Sequence, residues 1–134
     1  MLLLTRHSME YPARTIARAN RALRCAPFDL DLFVEMQFSS VALSAIAGEA
    51  GVEHHYTLKV LPEFAVEHHL LWLIQVGVLR REVDGQGLTD SFRLTPLGRQ
   101  LVERWQHQSS RTLYAPTWGD RLLNFLRRWL RLPL

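Results

Sequence analysis

The sequence predicts a mainly α chain carrying one small β-hairpin, an α+β fold, and three observations predict it. Leu70, Leu73 and Val76 recur at helical spacing and stop at Gly77, a residue that tolerates the left-handed conformation of a helix C-terminus. Residues 78–83 (VLRREV) and 91–94 (SFRL) have strand character and flank Asp84-Gly85-Gln86-Gly87, which has turn chemistry. Thr95 followed by Pro96 then reopens a helix, because threonine caps and proline loses nothing at a first helical position.

The remaining elements follow in order. Residues 1–10 lack periodicity and read as a flexible N-terminus. Pro12 opens a helix through Arg24, with Ile16, Ala19 and Leu23 on one face and Arg14, Arg18 and Arg21 on the other. Pro27 breaks it, and Asp29 caps a second helix whose Leu32, Phe33 and Met36 are core candidates. Ser39-Ser40 precede an Ala-rich helix from Val41 to Ala50, ended by Gly51. Residues 52–61 (VEHHYTLKVL) are longer than the 3–4 residues or so between the helices of a compact helix-turn-helix. Either residues 56–60 form a short strand, or the following helix begins earlier than Pro62. The long helix is placed from Pro62 to Val76, and another from Pro96 to about Gln106 presents Leu97, Leu101, Val102 and Trp105. Residues 106–117 read as a connector. In the tail, Trp118, Leu122, Leu123, Phe125, Leu126, Trp129 and Leu130 sweep half of a helical circumference, with Arg121, Arg127, Arg128 and Arg131 on the rest.

Composition is that of an ordinary globular domain, with 48% hydrophobic and 22% charged residues in 134. The single cysteine, Cys25, excludes an internal disulfide and fits a reducing cytosol. The Met1–Leu4 stretch is too short for a signal peptide and no apolar run approaches membrane-spanning length, so the expected location is cytoplasmic. The net charge of +3 conceals a segregation: residues 1–25 carry +4, residues 26–95 carry −6 and residues 96–134 carry +5. Either the basic ends lie against an acidic middle, or they face an anionic partner.

Catalytic chemistry finds no motif. His54-His55 and His68-His69 are adjacent pairs, which on a helix point about 100° apart and do not chelate one ion. No HExxH, nucleophile elbow, phosphate loop or dinucleotide fingerprint is present. The sequence therefore predicts neither enzyme activity, metal nor cofactor, and no small-molecule substrate is evident.

Helix, hairpin and helix in this order resemble a winged helix-turn-helix, here with additional N- and C-terminal helices. Its span is residues 11–108, with connector and amphipathic helix in 109–134. That resemblance implies double-stranded DNA as partner, with the second helix of the turn in the major groove and the hairpin on neighbouring phosphates. The candidate DNA-binding residues are Arg14, Arg18, Arg21, Lys59, Glu63, Glu67, His68, Arg80, Arg81, Gln86, Thr89 and Arg93. The helix from Pro62 offers two acids and no Lys or Arg to a polyanion over 62–68, so the N-terminal arginines and Lys59 must compensate. A solvated or salt-bridged face is the alternative reading of the Arg14–Arg18–Arg21 stripe.

Leu71, Trp72 and Ile74 add a second apolar face to that helix, which something must cover. A homodimer, or packing of the tail within the chain, is the expectation, with Leu71, Trp72, Trp118, Leu122, Phe125, Leu126 and Trp129 as the interface. A membrane surface is the rival partner for the Trp/Leu/Arg tail, and a protein-interaction module without DNA binding is the rival function.

Several strings narrow the resemblance further. They are Tyr11-Pro12 with Asn20-Arg21-Ala22-Leu23-Arg24-Cys25, residues 55–64 (HYTLKVLPEF), residues 81–96 (REVDGQGLTDSFRLTP) and the RWLRLP of residues 128–133. In these the chain resembles a small cyanobacterial family described as heterocyst-differentiation transcriptional regulators. The resemblance implies a cytoplasmic regulator that binds DNA, and supplies no individual site residue.

Overall fold

Pro12 starts the first of the described helices, as its position suggests, its carbonyl accepting the Ile16 N–H at 3.1 Å. A computed structural model describes residues 10–107. Its elements in chain order are α1 (Ala13–Cys25), α2 (Leu30–Glu35), β1 (Val41–Ala42), α3 (Leu43–Ile46), α4 (Gly48–Glu53), α5 (Glu63–Gln75), β2 (Leu79–Asp84), β3 (Gly87–Leu94) and α6 (Pro96–His107). Among the described residues the fold is thus α+β, with six helices and one three-stranded antiparallel sheet in the order β1-β3-β2.

The expected hairpin forms. Leu79 opposes Leu94, Arg80 opposes Arg93 and Arg81 opposes Phe92, and the register slips at Glu82 before Val83 meets Leu88. The turn is tight because the Asp84 carboxylate accepts the Gln86 N–H at 2.7 Å, a local bond that substitutes for a backbone one. Thr89 steadies the slipped region by donating its hydroxyl to the Glu82 carbonyl at 2.9 Å.

Two expectations are corrected. The single helix expected over 41–50 is instead β1, α3 and α4, because Val41 pairs with Phe92 across the sheet. The helix then breaks where Ala47 becomes extended and the Gly48 N–H turns away to the Leu61 carbonyl at 2.8 Å. Residues 54–62 contain neither a strand nor an early start of α5. They are held by one isolated bridge, Phe28 to Thr57, by Asp29 N–H donating to the Tyr56 carbonyl at 2.9 Å, and by Tyr56 N–H donating to the Gly51 carbonyl at 2.8 Å. Burial, then the nearby Glu35 and Asp31 carboxylates, push the Tyr56 phenol above its ordinary pKa.

Among the described residues the core is one cluster to which all the long elements contribute. Ala19, Ala22 and Leu23 come from α1, Leu32 and Phe33 from α2, Val66, Leu70 and Leu73 from α5, Phe92 from β3, and Leu101, Val102 and Trp105 from α6. Trp105 meets Phe33 edge-on at 6.4 Å and points its indole N–H at Asn20 Oδ1, 3.4 Å away. The junction from α5 to α6 is fixed by a few groups. Gly77 takes φ +91°, which lets Val78 N–H return to the Leu73 carbonyl at 2.9 Å. Thr95 Oγ1 meets the carbonyls of Gly77 and Val78 and accepts the Gly98 N–H at 3.0 Å. Among the described residues no helix is long and apolar enough to cross a membrane.

Candidate functional site

The sequence of α5, EFAVEHHLLWLIQ, has apolar side chains on nearly every side, and the fold cannot bury them all. Val66, Leu70 and Leu73 enter the core, and Trp72 goes with them at 8% exposure. What remains outward is a stripe of Phe64, His68, Leu71 and Gln75, spaced i, i+4, i+7 and i+11. Phe64 is 76% exposed and Leu71 43%. Glu63 and Glu67 line one flank of the stripe, and the segment leading into it leaves Leu58 and Val60 exposed as well. The result is an apolar ridge with an acidic edge.

The hairpin braces that edge. Arg81 Nη2 lies 3.5 Å from Glu67 Oε2, its Nη1 lies 3.1 Å from Asp90 Oδ1, and the guanidinium stands 4.9 Å above the Phe92 ring. Arg93 turns to Glu82, 3.4 Å from both carboxylate oxygens, and Arg80 is 3.9 Å from the same group. At the far end of the hairpin Asp84, Gln86, Leu88 and Asp90 are exposed, so the tip is acidic and apolar rather than basic.

The residues expected on DNA have unlike surroundings. Glu67, Arg80, Arg81, Thr89 and Arg93 meet on the hairpin and its junction with α5. The rest stand on α1, before α5, along it and, for Gln86, at the hairpin turn. Arg14 is exposed on α1, but Arg21, on the supposed phosphate-gripping stripe, is buried at 9% exposure because α1 rolls that side onto the body. Arg18 is half-buried and lines a groove of about 320 Å³ with Tyr11, Thr15, Val76, Thr95 and Leu97. Lys59, Glu63, His68, Arg80 and Gln86 face solvent, whereas Arg81, Arg93 and the Thr89 hydroxyl are engaged within the hairpin and its neighbours. Of the expected interface, Leu71 is exposed. Trp72 is buried at 8% exposure in the same cluster as Leu70 and Leu73. Trp118, Leu122, Phe125, Leu126 and Trp129 lie outside the described residues.

His69 rests edge-on against Phe28 at 6.2 Å and His54 stacks on Tyr56 at 5.2 Å, which places two of the histidines in packing roles. Among the described residues no three His, Cys, Asp or Glu side chains gather as a metal site requires.

Phe64 is the residue that sequence reasoning passed over. Its signal was present, because it lies about 200° around the helix from Val66 and so cannot share the buried face.

Charge completes the description. Residues 10–107 contain ten Arg and Lys against twelve Asp and Glu, a net −2, so the +5 that brings the chain to +3 belongs to the residues on either side. The chain belongs to the Npun_F0494-like family, whose model matches residues 9–128. No curated protein and no solved structure matches it.

Proposed function

We propose that this member of the Npun_F0494-like family is a winged-helix module that binds a basic, amphipathic protein helix on α5, and that it assists gene regulation through protein contacts rather than by reading duplex DNA. The winged-helix part rests on chain order. Helix, short strand, two short helices, a long helix and a hairpin follow one another, and β1 lies beside β3. In that plan α5 is the helix a DNA-binding relative would place in the major groove.

The observation that carries the choice of partner is the outward face of α5: Glu63, Phe64, Glu67, His68 and Leu71, with no Lys or Arg. A duplex presents about one negative charge per 1.7 Å, and an acidic ridge at that distance is repelled. An exposed aromatic and an aliphatic residue two turns apart suit a helix laid along them, with cations meeting the acidic flank. The reading involves no catalysis and no cofactor, and its expected setting is the cytoplasm.

Fluorescence anisotropy tests it, with the full chain, a labelled Leu/Arg amphipathic peptide and a random-sequence duplex. The peptide binds in the micromolar range and Phe64→Glu weakens it at least tenfold. Duplex affinity that exceeds peptide affinity at physiological salt, is untouched by Phe64→Glu and falls with Lys59→Ala and Arg80→Ala overturns it.

One observation favours a second reading, a DNA-binding homodimeric regulator. Arg14, Lys59 and Arg80 are outward-facing cations and the flanking residues add +5, enough charge for phosphate contacts, in keeping with the likeness to heterocyst-differentiation regulators.

A further inference from the structure

Resting on the docking reading of α5, we propose that the first occupant of that face is the chain's own segment 118–132, lying antiparallel to α5 and held there in cis. A protein partner then binds by displacing it.

The spacing of the two partners matches. On α5 the outward stripe is Phe64, His68, Leu71 and Gln75. In the segment, Trp118, Leu122, Phe125 and Trp129 repeat the same i, i+4, i+7, i+11 interval. Each stripe spans eleven residue steps, about 16 Å as helix, so the two ridges are equal in length. The segment supplies the large apolar side chains that the α5 stripe, with only Phe64 and Leu71, cannot supply alone.

Charge complements this and sets the direction. At 100° per residue, Glu63 and Glu67 lie on the same side of their stripe as Arg121 and Arg128 do of theirs. When two helices pack face to face, flanks of the same hand meet only if the helices run antiparallel. That orientation sets Trp129 opposite Phe64 and brings Arg128 to the end of α5 where Glu63 and Glu67 stand. A parallel arrangement puts the acids against the other flank, away from Arg121 and Arg128. Residues 118–132 carry four Arg against one Asp, while the described body is net −2, so the long-range attraction has the same sign.

Chain length permits the contact. Ten residues, 108–117, separate the end of α6 from the segment and span up to about 33–36 Å. A body of this size has a radius of gyration near 13 Å, so any of its faces is within reach. A short tether also gives an effective concentration of ~1 mM, so that even a contact with Kd ~0.1 mM is closed about nine-tenths of the time.

Site-resolved trypsinolysis of the full chain tests the proposal, with light scattering and hydrogen exchange alongside. In the wild type, cleavage after Arg121 and Arg128 is slow, amides of Glu63–Gln75 are protected, and both are independent of protein concentration. Phe64→Glu with Leu71→Glu speeds those cleavages at least fivefold while thermal unfolding stays cooperative, because both side chains are already exposed. Arg128→Glu, which removes its own cleavage site, speeds cleavage after Arg121 likewise, and adding Glu63→Arg restores protection there. Cleavage at one rate in wild type and variants overturns the cis cover, as does protection that grows with concentration and a doubled mass, which assigns the segment to a second copy. If the cover fails while the amphipathic peptide still binds in a Phe64-dependent way, the docking reading stands. If both fail, the face has no such role.

Discussion

Arg81 on β2 is joined to Glu67 on α5 across 3.5 Å, and this pair couples the hairpin to the helix that carries the candidate face. The same guanidinium reaches Asp90 on β3 and covers Phe92, so one side chain of β2 ties α5 to β3. Its side chain is only 19% exposed, which raises its value above that of a free surface pair, while the exposed carboxylates limit it.

Arg81→Ala is therefore expected to destabilise the domain by about 1–2 kcal/mol, through lost stem packing and cation–π contact as well as charge. In a double-mutant cycle with Glu67→Gln the coupling is about 0.5 kcal/mol, measured by urea unfolding. Zero coupling means that the hairpin is not tied to α5 through this pair.

Trp72→Ala is expected to cost about 3–5 kcal/mol of stability, as removal of a buried aromatic does. It should leave the mass of whatever remains folded unchanged. The ring is at 8% exposure, inside the same cluster as Leu70 and Leu73. Light scattering that shows a dimer split by Trp72→Ala at unchanged unfolding midpoint refutes the core assignment.

At Gly98 a methyl group would be driven into the Val78 carbonyl oxygen, because α6 starts against the end of α5 there. Gly98→Ala should cost about 1–3 kcal/mol as an overpacked site. Gly85→Ala, with nothing within 4 Å of the added carbon, should cost far less in the same thermal unfolding series.

These contrasts show which parts of the molecule were legible in its sequence. α1, α5, the hairpin and α6 were, because helical period, Pro12, Gly77, Asp84-Gly85 and Thr95-Pro96 act over a few residues. β1 was not. Val41 is a strand residue only because Phe92, fifty-one positions later, offers it a partner. The candidate site divides in the same way. The acidic, apolar character of α5 was visible, but the roles of Arg21, Arg81 and Arg93 depended on which surfaces and carboxylates the fold would bring to them. A stripe of arginines on a helix says where guanidinium groups start and not which of them the body will absorb.

The sign of the charge on α5 gives the sharpest discrimination between the two partners. Glu63 is exposed at the first turn and no ion pair is recorded for it among the described residues, so Glu63→Lys changes the face with little consequence for the fold. A cation at a helix N-terminus opposes the helix dipole, at a cost of about 0.3–1 kcal/mol in unfolding free energy. If a basic helix docks there, losing one attraction and gaining one repulsion should weaken the amphipathic peptide about fivefold to tenfold, which is about 1–1.4 kcal/mol, and most strongly at low salt. If duplex DNA docks there, the same substitution should strengthen binding and steepen the logarithmic salt dependence by about 0.9 per added phosphate contact. The two partners therefore predict opposite signs from one variant, read in a pair of anisotropy titrations at 50 and 200 mM salt. A Glu63→Lys chain that alters neither affinity shows that neither ligand lies on α5.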